Sequence, residues 1–167
     1  MPLFPMKEKN TKFEIISASA EDSRELARSI GENLKEGDVL ALSGELGSGK
    51  TCFTGGLALG LGVDEKYRIT SPTFTLINEY PARYKLYHFD VYRLNDYSEF
   101  EDLGYEEYFG GGGVVVIEWA EKIARILPDD AIFINFEYLD ENKRRITIEG
   151  PEMRLREIKI DTKMEVV

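Results

Sequence analysis

The chain has 167 residues, 43% hydrophobic and 31% charged, with 21 basic and 31 acidic residues for a formal net charge of −10. That length suits one domain with a proper core, and that charge argues against strong nonspecific binding to nucleic acid. The single cysteine, Cys52, leaves no intramolecular disulfide, and no apolar run approaches the ~20 residues of a membrane span.

Residues 1–10, with Pro2 and Pro5 ahead of Lys7-Glu8-Lys9-Asn10, read as a loose lead-in. Met1 to Met6 is too short and too broken by proline for a signal sequence, so the cytoplasm is the expected compartment. Lys12 to Ser17 reads as a short strand. Ser19-Ala20-Glu21-Asp22 has the form of a capping box. The helix behind it repeats Leu26, Ile30 and Leu34 along one face, and Gly37 is its expected end. Asp38 to Ser43 is apolar enough for a buried strand.

Next comes Gly44-Glu45-Leu46-Gly47-Ser48-Gly49-Lys50-Thr51. It fits the pattern of Gly, four residues, then Gly-Lys-Thr. Glycines let backbone N–H groups close around phosphate oxygens, where a Cβ would intrude. Lys50 would put an ammonium near the β- and γ-phosphates, and Thr51 would offer a hydroxyl to Mg²⁺. Cys52 to Leu61 reads as a helix whose positive end faces the same anion, although its glycines weaken it. Cys52 itself reads as a small core residue rather than a reactive thiol.

Ile69 to Tyr80 starts as a loop, because Pro72 biases Ser71 towards extended backbone, and ends as a strand. Pro81-Ala82-Arg83 is a candidate hairpin turn into the β-rich run Tyr84 to Tyr92. So short a connection makes the two strands antiparallel and the sheet mixed. Asn95 to Phe109 reads as one or two short helices, and Gly110 to Gly113 as a pliable joint. Val114 to Ile117 reads as a fully buried strand ending in Glu118-Trp119. Ala120 to Leu127 reads as a short helix stopped by Pro128. Ala131 to Leu139 and Arg144 to Glu149 read as a hairpin, with Ile158 and Ile160 as a candidate edge strand and the last residues frayed.

A triphosphate-binding loop needs a carboxylate at the end of a buried strand to order Mg²⁺ or position water. Asp90 and Glu118 both qualify, each against the alternative of a solvated strand-end acid. Thr73, in the loop held by Pro72, is a candidate γ-phosphate sensor or a strand-start cap. Trp119 stacks on a base or partner, or packs in the core. His88, the lone histidine, reads as structural; one Cys and one His give a zinc site almost no support. No Asn-Lys-x-Asp segment for guanine is present, which leaves adenine as the default.

Four segments then stand in order: the glycine loop, Ser71-Pro72-Thr73-Phe74-Thr75, His88-Phe89-Asp90-Val91-Tyr92-Arg93, and Ile117-Glu118-Trp119-Ala120-Glu121. Together they resemble the TsaE (YjeE) family of small ATPases, from about Phe13 to Glu149. The chain departs from that family at Cys52, where Thr is frequent. The resemblance implies one α/β, P-loop NTPase-like domain over 1–167. Its sheet would be mixed and mostly parallel, flanked by helices, with antiparallel hairpins and loose ends at 1–11 and 158–167. It implies a subunit that binds and slowly hydrolyses ATP while docked on a TsaB–TsaD pair that makes threonylcarbamoyladenosine in tRNA, touching tRNA only through the complex. On that resemblance Glu45, Leu46, Gly47, Ser48, Gly49, Lys50, Thr51, Cys52, Thr73 and Trp119 surround the nucleotide. Lys50, Asp90 and Glu118 serve catalysis, and Thr51 and Glu118 hold Mg²⁺. Two other readings stay open. One is a small-molecule kinase, for which the segment 95–109 lacks the usual lid arginines. The other is a nucleotide-gated binding module without turnover.

Overall fold

Val39-Leu40-Ala41-Leu42 carries no polar side chain, so it needs cover on both faces. It lies at the middle of one sheet. The structure, a computed structural model, describes residues 9–159 and, as backbone, the strand Glu165–Val166. The strands are β1 (Asn10–Ser17), β2 (Val39–Gly44), β3 (Ile77–Tyr80), β4 (Lys85–Asp90), β5 (Gly113–Glu118), β6 (Ile132–Tyr138), β7 (Arg144–Pro151) and β8 (Glu165–Val166). The helices are α1 (Ala20–Glu32), α2 (Lys50–Leu61), α3 (Tyr97–Glu101), α4 (Tyr105–Phe109) and α5 (Glu152–Ile158), with a 3-10 segment over Ala120–Ile126.

The strand order is β3-β4-β5-β2-β6-β7-β1-β8. The four central strands β4, β5, β2 and β6 run parallel, and antiparallel pairs flank them on both sides. Because β1 is antiparallel to β7, it runs the same way as the central four. The fold is therefore α/β with a parallel centre and the two expected hairpins, β3–β4 and β6–β7.

Alternation along β2 and β5 splits the interior into two cores. Leu40, Leu42, Val114 and Val116 face α1 and α2 with Ile30, Phe53 and Leu57. Val39, Ala41, Val115 and Ile117 face α3 and the 3-10 segment with Phe100 and Ile123. Ser19 caps α1 by accepting from Asp22 N at 3.0 Å, and Ala18 N returns a bond to Asp22 Oδ2 at 3.2 Å. No helix among the described residues is long and apolar enough to cross a membrane.

The glycines that weaken α2 as a helix are needed for its packing. A Cβ on Gly60 would stand 2.0 Å from Arg28 O, and one on Gly56 would stand 2.4 Å from Arg24 O. The backbones of α1 and α2 therefore touch. Gly60→Ala should destabilise the protein by about 1–3 kcal/mol through overpacking, lowering the melting temperature by roughly 2–12 °C. Gly55→Ala is the control: its Cβ meets nothing within 4 Å among the described residues, and the helix should gain up to about 1 kcal/mol in propensity. Calorimetric melting of both variants checks the pair; equal shifts would refute the close approach.

Several expectations are corrected. The helix α1 ends at Glu32 with Asn33 as its cap, not at Gly37. Gly37 instead takes φ +92° in the turn to β2 and donates to Gly113 O at 2.9 Å. Gly113 belongs to β5 rather than to a joint; a Cβ there would strike Lys85 O at 2.5 Å. Asn10 and Thr11 are not loose but pair with Pro151 and Gly150. Ile158 is not in an edge strand; it is buried on α5. The lead-in at 1–8 and Ile160 lie outside the described residues. Arg83, read only as part of a turn, donates to Gly31, Glu32, Leu34 and Gly60 carbonyls at 3.1–3.4 Å. It thereby ties the β3–β4 hairpin to the carboxyl ends of α1 and α2.

Candidate functional site

The carboxyl ends of β2, β4 and β5 meet where α2 begins. Between β2 and α2 the chain turns through Gly44 (φ +146°), Gly47 (φ +74°) and Gly49 (φ +108°), conformations that a side chain resists. Gly49 precedes α2 with no side-chain cap, so the first amides of the helix are left for another acceptor. A hairpin grips the loop from outside. Tyr138 Oη donates to Leu46 O at 3.2 Å, and Arg144 Nε donates to Ser48 O at 3.3 Å.

Lys50 is only 4% exposed. Its Nζ donates to Gly44 O at 2.6 Å and Glu45 O at 2.9 Å, and it lies 4.0 Å from the centre of the Trp119 ring. Burial holds the ammonium pKa below its ordinary value, against the pull of the Glu118, Glu121 and Asp90 carboxylates. Trp119 has φ +62°, a left-handed conformation that costs a tryptophan about 1–3 kcal/mol. That turn aims its ring at Lys50, while the Tyr92 ring packs against it at a 45° tilt, 4.8 Å between centres.

Asp90 and Glu118 end adjacent parallel strands and are register partners. Glu118 Oε1 accepts from Thr51 Oγ1 at 2.8 Å, and Oε2 faces His88 Nε2 at 2.5 Å. Asp90 Oδ1 accepts from Tyr92 N at 2.9 Å. Asp90 Oδ2 accepts from Ser71 Oγ and lies 3.5 Å from Thr73 Oγ1. The Pro72 loop thus closes onto Asp90.

These groups border a cavity of about 310 Å³ whose wall includes Leu46, Gly47, Gly49, Lys50, Thr51, Cys52, Thr73, Asp90, Glu118 and Trp119. Two expected residues lie off it. Ser48 is buried beneath the loop, and Glu45 faces a separate hollow beyond Trp119. A larger cleft of about 570 Å³ runs along α2 and shares Thr51 and Cys52, but Asp90 and Glu118 do not line it. Cys52 is half-buried on the rim rather than in the core. Ser71 and Tyr92 also line the cavity; both sit inside motifs already quoted, so a signal for them existed. Tyr138 and Arg144 had none.

A family model described as "Threonylcarbamoyl adenosine biosynthesis protein TsaE" matches residues 17–146, which include every site residue above. The chain belongs to the TsaE family. A TsaE protein of Treponema pallidum (strain Nichols) is 47% identical over 133 residues, 80% of this chain and 97% of that protein. A TsaE protein of Bacillus subtilis (strain 168) is 44% identical over 132 residues, 78% of this chain and 81% of that protein. Both are named tRNA threonylcarbamoyladenosine biosynthesis proteins. The crystal structure of Bacillus subtilis YdiB superimposes with a TM-score of 0.75 at 36% identity, covering 91% of this chain and 97% of that one. The TsaE fold thus spans nearly the whole chain.

Proposed function

We propose that this protein is the ATP-binding, slowly ATP-hydrolysing subunit of a threonylcarbamoyladenosine tRNA-modifying system, acting with a TsaB–TsaD pair in the cytoplasm. The observation that carries this reading is one cavity ringed by Lys50, Thr51, Asp90 and Glu118 under a glycine loop. Lys50 would leave the loop carbonyls for the β- and γ-phosphates. The amides at Gly47, Gly49 and Thr51 would cradle phosphate oxygens.

The residues present suit Mg²⁺. Thr51 and Glu118 offer hard oxygen donors 2.8 Å apart. Among the described residues no group of three or more His, Cys, Asp or Glu is placed to hold a metal ion by itself, so the ion would rest partly on phosphate oxygens, as Mg²⁺ commonly does. When bound, it neutralises charge on the phosphates. Asp90, held by Ser71 and Tyr92 N, would orient the attacking water, and Thr73 would report on the γ-phosphate. The net charge of −10 fits a subunit that leaves the tRNA to its partners.

Calorimetry with Mg-ATP, followed by ADP and phosphate release with and without TsaB–TsaD, tests the reading. Binding with slow release supports it. Phosphate retained on a small acceptor would make the protein a kinase, and partner docking without turnover would make it a nucleotide-gated module. The hairpin grip gives a finer check. Tyr138→Phe removes one hydrogen bond to the loop and should weaken ATP binding roughly 2- to 13-fold, with the melting temperature little changed. Unaltered affinity would show that the loop holds its shape without the hydroxyl.

A further inference from the structure

We propose that His88 is a positioning residue that locks Glu118 in the orientation needed to hold the metal. The proposal rests on the ATPase reading above. His88 is the chain's only histidine and is fully buried in β4. It pairs in register with Val116, two residues before Glu118 on β5. Residues two apart share a face of a strand, so the imidazole reaches along the sheet to the carboxylate. Nε2 stands 2.5 Å from Glu118 Oε2, and Thr51 occupies Oε1.

Both carboxylate oxygens are thus engaged, one from a rigid central strand and one from the first turn of α2. A buried carboxylate needs such partners, and fixing Oε2 on β4 sets where Oε1 points. The ring's other nitrogen, Nδ1, is buried with no hydrogen-bond partner among the described residues. This assigns the hydrogen to Nε2. A hydrogen on Nδ1 would be sealed away without an acceptor and would leave Nε2 facing the carboxylate lone pair to lone pair. Partners that orient metal-binding carboxylates typically change metal affinity or activity 10- to 100-fold when removed.

The test uses the full-length protein. His88→Leu removes the donor, and His88→Gln keeps an N–H near the same reach. Electron paramagnetic resonance titration of Mn²⁺ onto the ATP-loaded protein reads metal affinity without turnover, and metal-free ATP binding is the control. His88→Leu should weaken Mn²⁺ binding and lower kcat by roughly 10- to 100-fold, with KM for ATP and metal-free ATP affinity within about twofold, and His88→Gln should restore most of both. A folded His88→Leu protein that holds Mn²⁺ like the parent overturns the proposal, as does a Gln variant no better than Leu.

Should His88→Leu fail to fold, nitrogen NMR of the parent decides, because one histidine gives one imidazole signal set. Hydrogen on Nε2, with a shift when Mg-ATP is added, supports the proposal. Hydrogen on Nδ1, or no response to Mg-ATP that calorimetry shows to be bound, overturns it. A parent that binds no metal-nucleotide overturns the ATPase reading itself, and this inference with it.

Discussion

Lys50→Ala is expected to weaken ATP binding by roughly 10- to 150-fold, the loss of a charge-assisted contact of about 1.5–3 kcal/mol. Before any ligand arrives the side chain is engaged by the loop itself, and it would leave those partners for the phosphates. Its ammonium is buried, bonded to the Gly44 and Glu45 carbonyls, and set against the Trp119 ring. Those carbonyls are poor substitutes for phosphate, and burial lowers the lysine pKa despite three nearby carboxylates. The sign of the stability effect follows. A lysine whose folded pKa lies below its unfolded one opposes folding while it is charged, and that opposition fades as pH rises from the folded value towards the ordinary one. Removing Lys50 relieves that opposition at neutral pH, which offsets part of the packing and hydrogen bonds lost with the side chain, while stripping the protein of affinity. Calorimetric titration with Mg-ATP beside a melting curve separates the two effects. Unchanged affinity in a folded variant would remove Lys50 from the phosphate site.

The second large effect is on turnover. Glu118→Gln and Asp90→Asn should each slow ATP hydrolysis by about 100- to 1,000-fold, the range seen when a preorganised electrostatic group is lost. Both substitutions keep shape. The amide carbonyl introduced by Glu118→Gln would still accept from His88 Nε2, and the one introduced by Asp90→Asn would still accept from Tyr92 N, the contacts that now hold these carboxylates. The hydroxyls of Thr51 and Ser71 can turn to accept from the new amides. Melting temperatures should therefore stay close to the parent's while phosphate release at saturating ATP falls. Parent-like hydrolysis in both variants would mean that the acidic partners are misassigned.

The glycine loop was legible because its requirements are local: three left-handed glycines, then Lys50 and Thr51, all within one turn of chain. Asp90 and Glu118 were legible because each closes an apolar strand, and register then made them neighbours. Tyr138 and Arg144 were not legible, since their grip on Leu46 and Ser48 depends on β6 lying beside β2, a pairing no short segment encodes. Ile158 misled because its alternation with Ile160 mimics a strand. The spacing of Leu155 and Ile158, both buried on α5, and the Glu152–Arg156 pair at 2.8 Å are the helical signals that outweigh it. Trp119 could be given a place but not a pose, because its left-handed backbone is imposed by tertiary packing and not by its own preference.

The placement of β1 constrains how the molecule can be made. This strand is made before its partner β7, and more than half of the described chain lies between the two. Strand β1 must therefore wait for its β7 partner until everything between them has been made. Such distant partners slow folding and leave an unpaired edge open to other chains meanwhile. A product truncated before Arg144 would expose that edge permanently, so premature termination would yield an aggregating fragment rather than a smaller working protein.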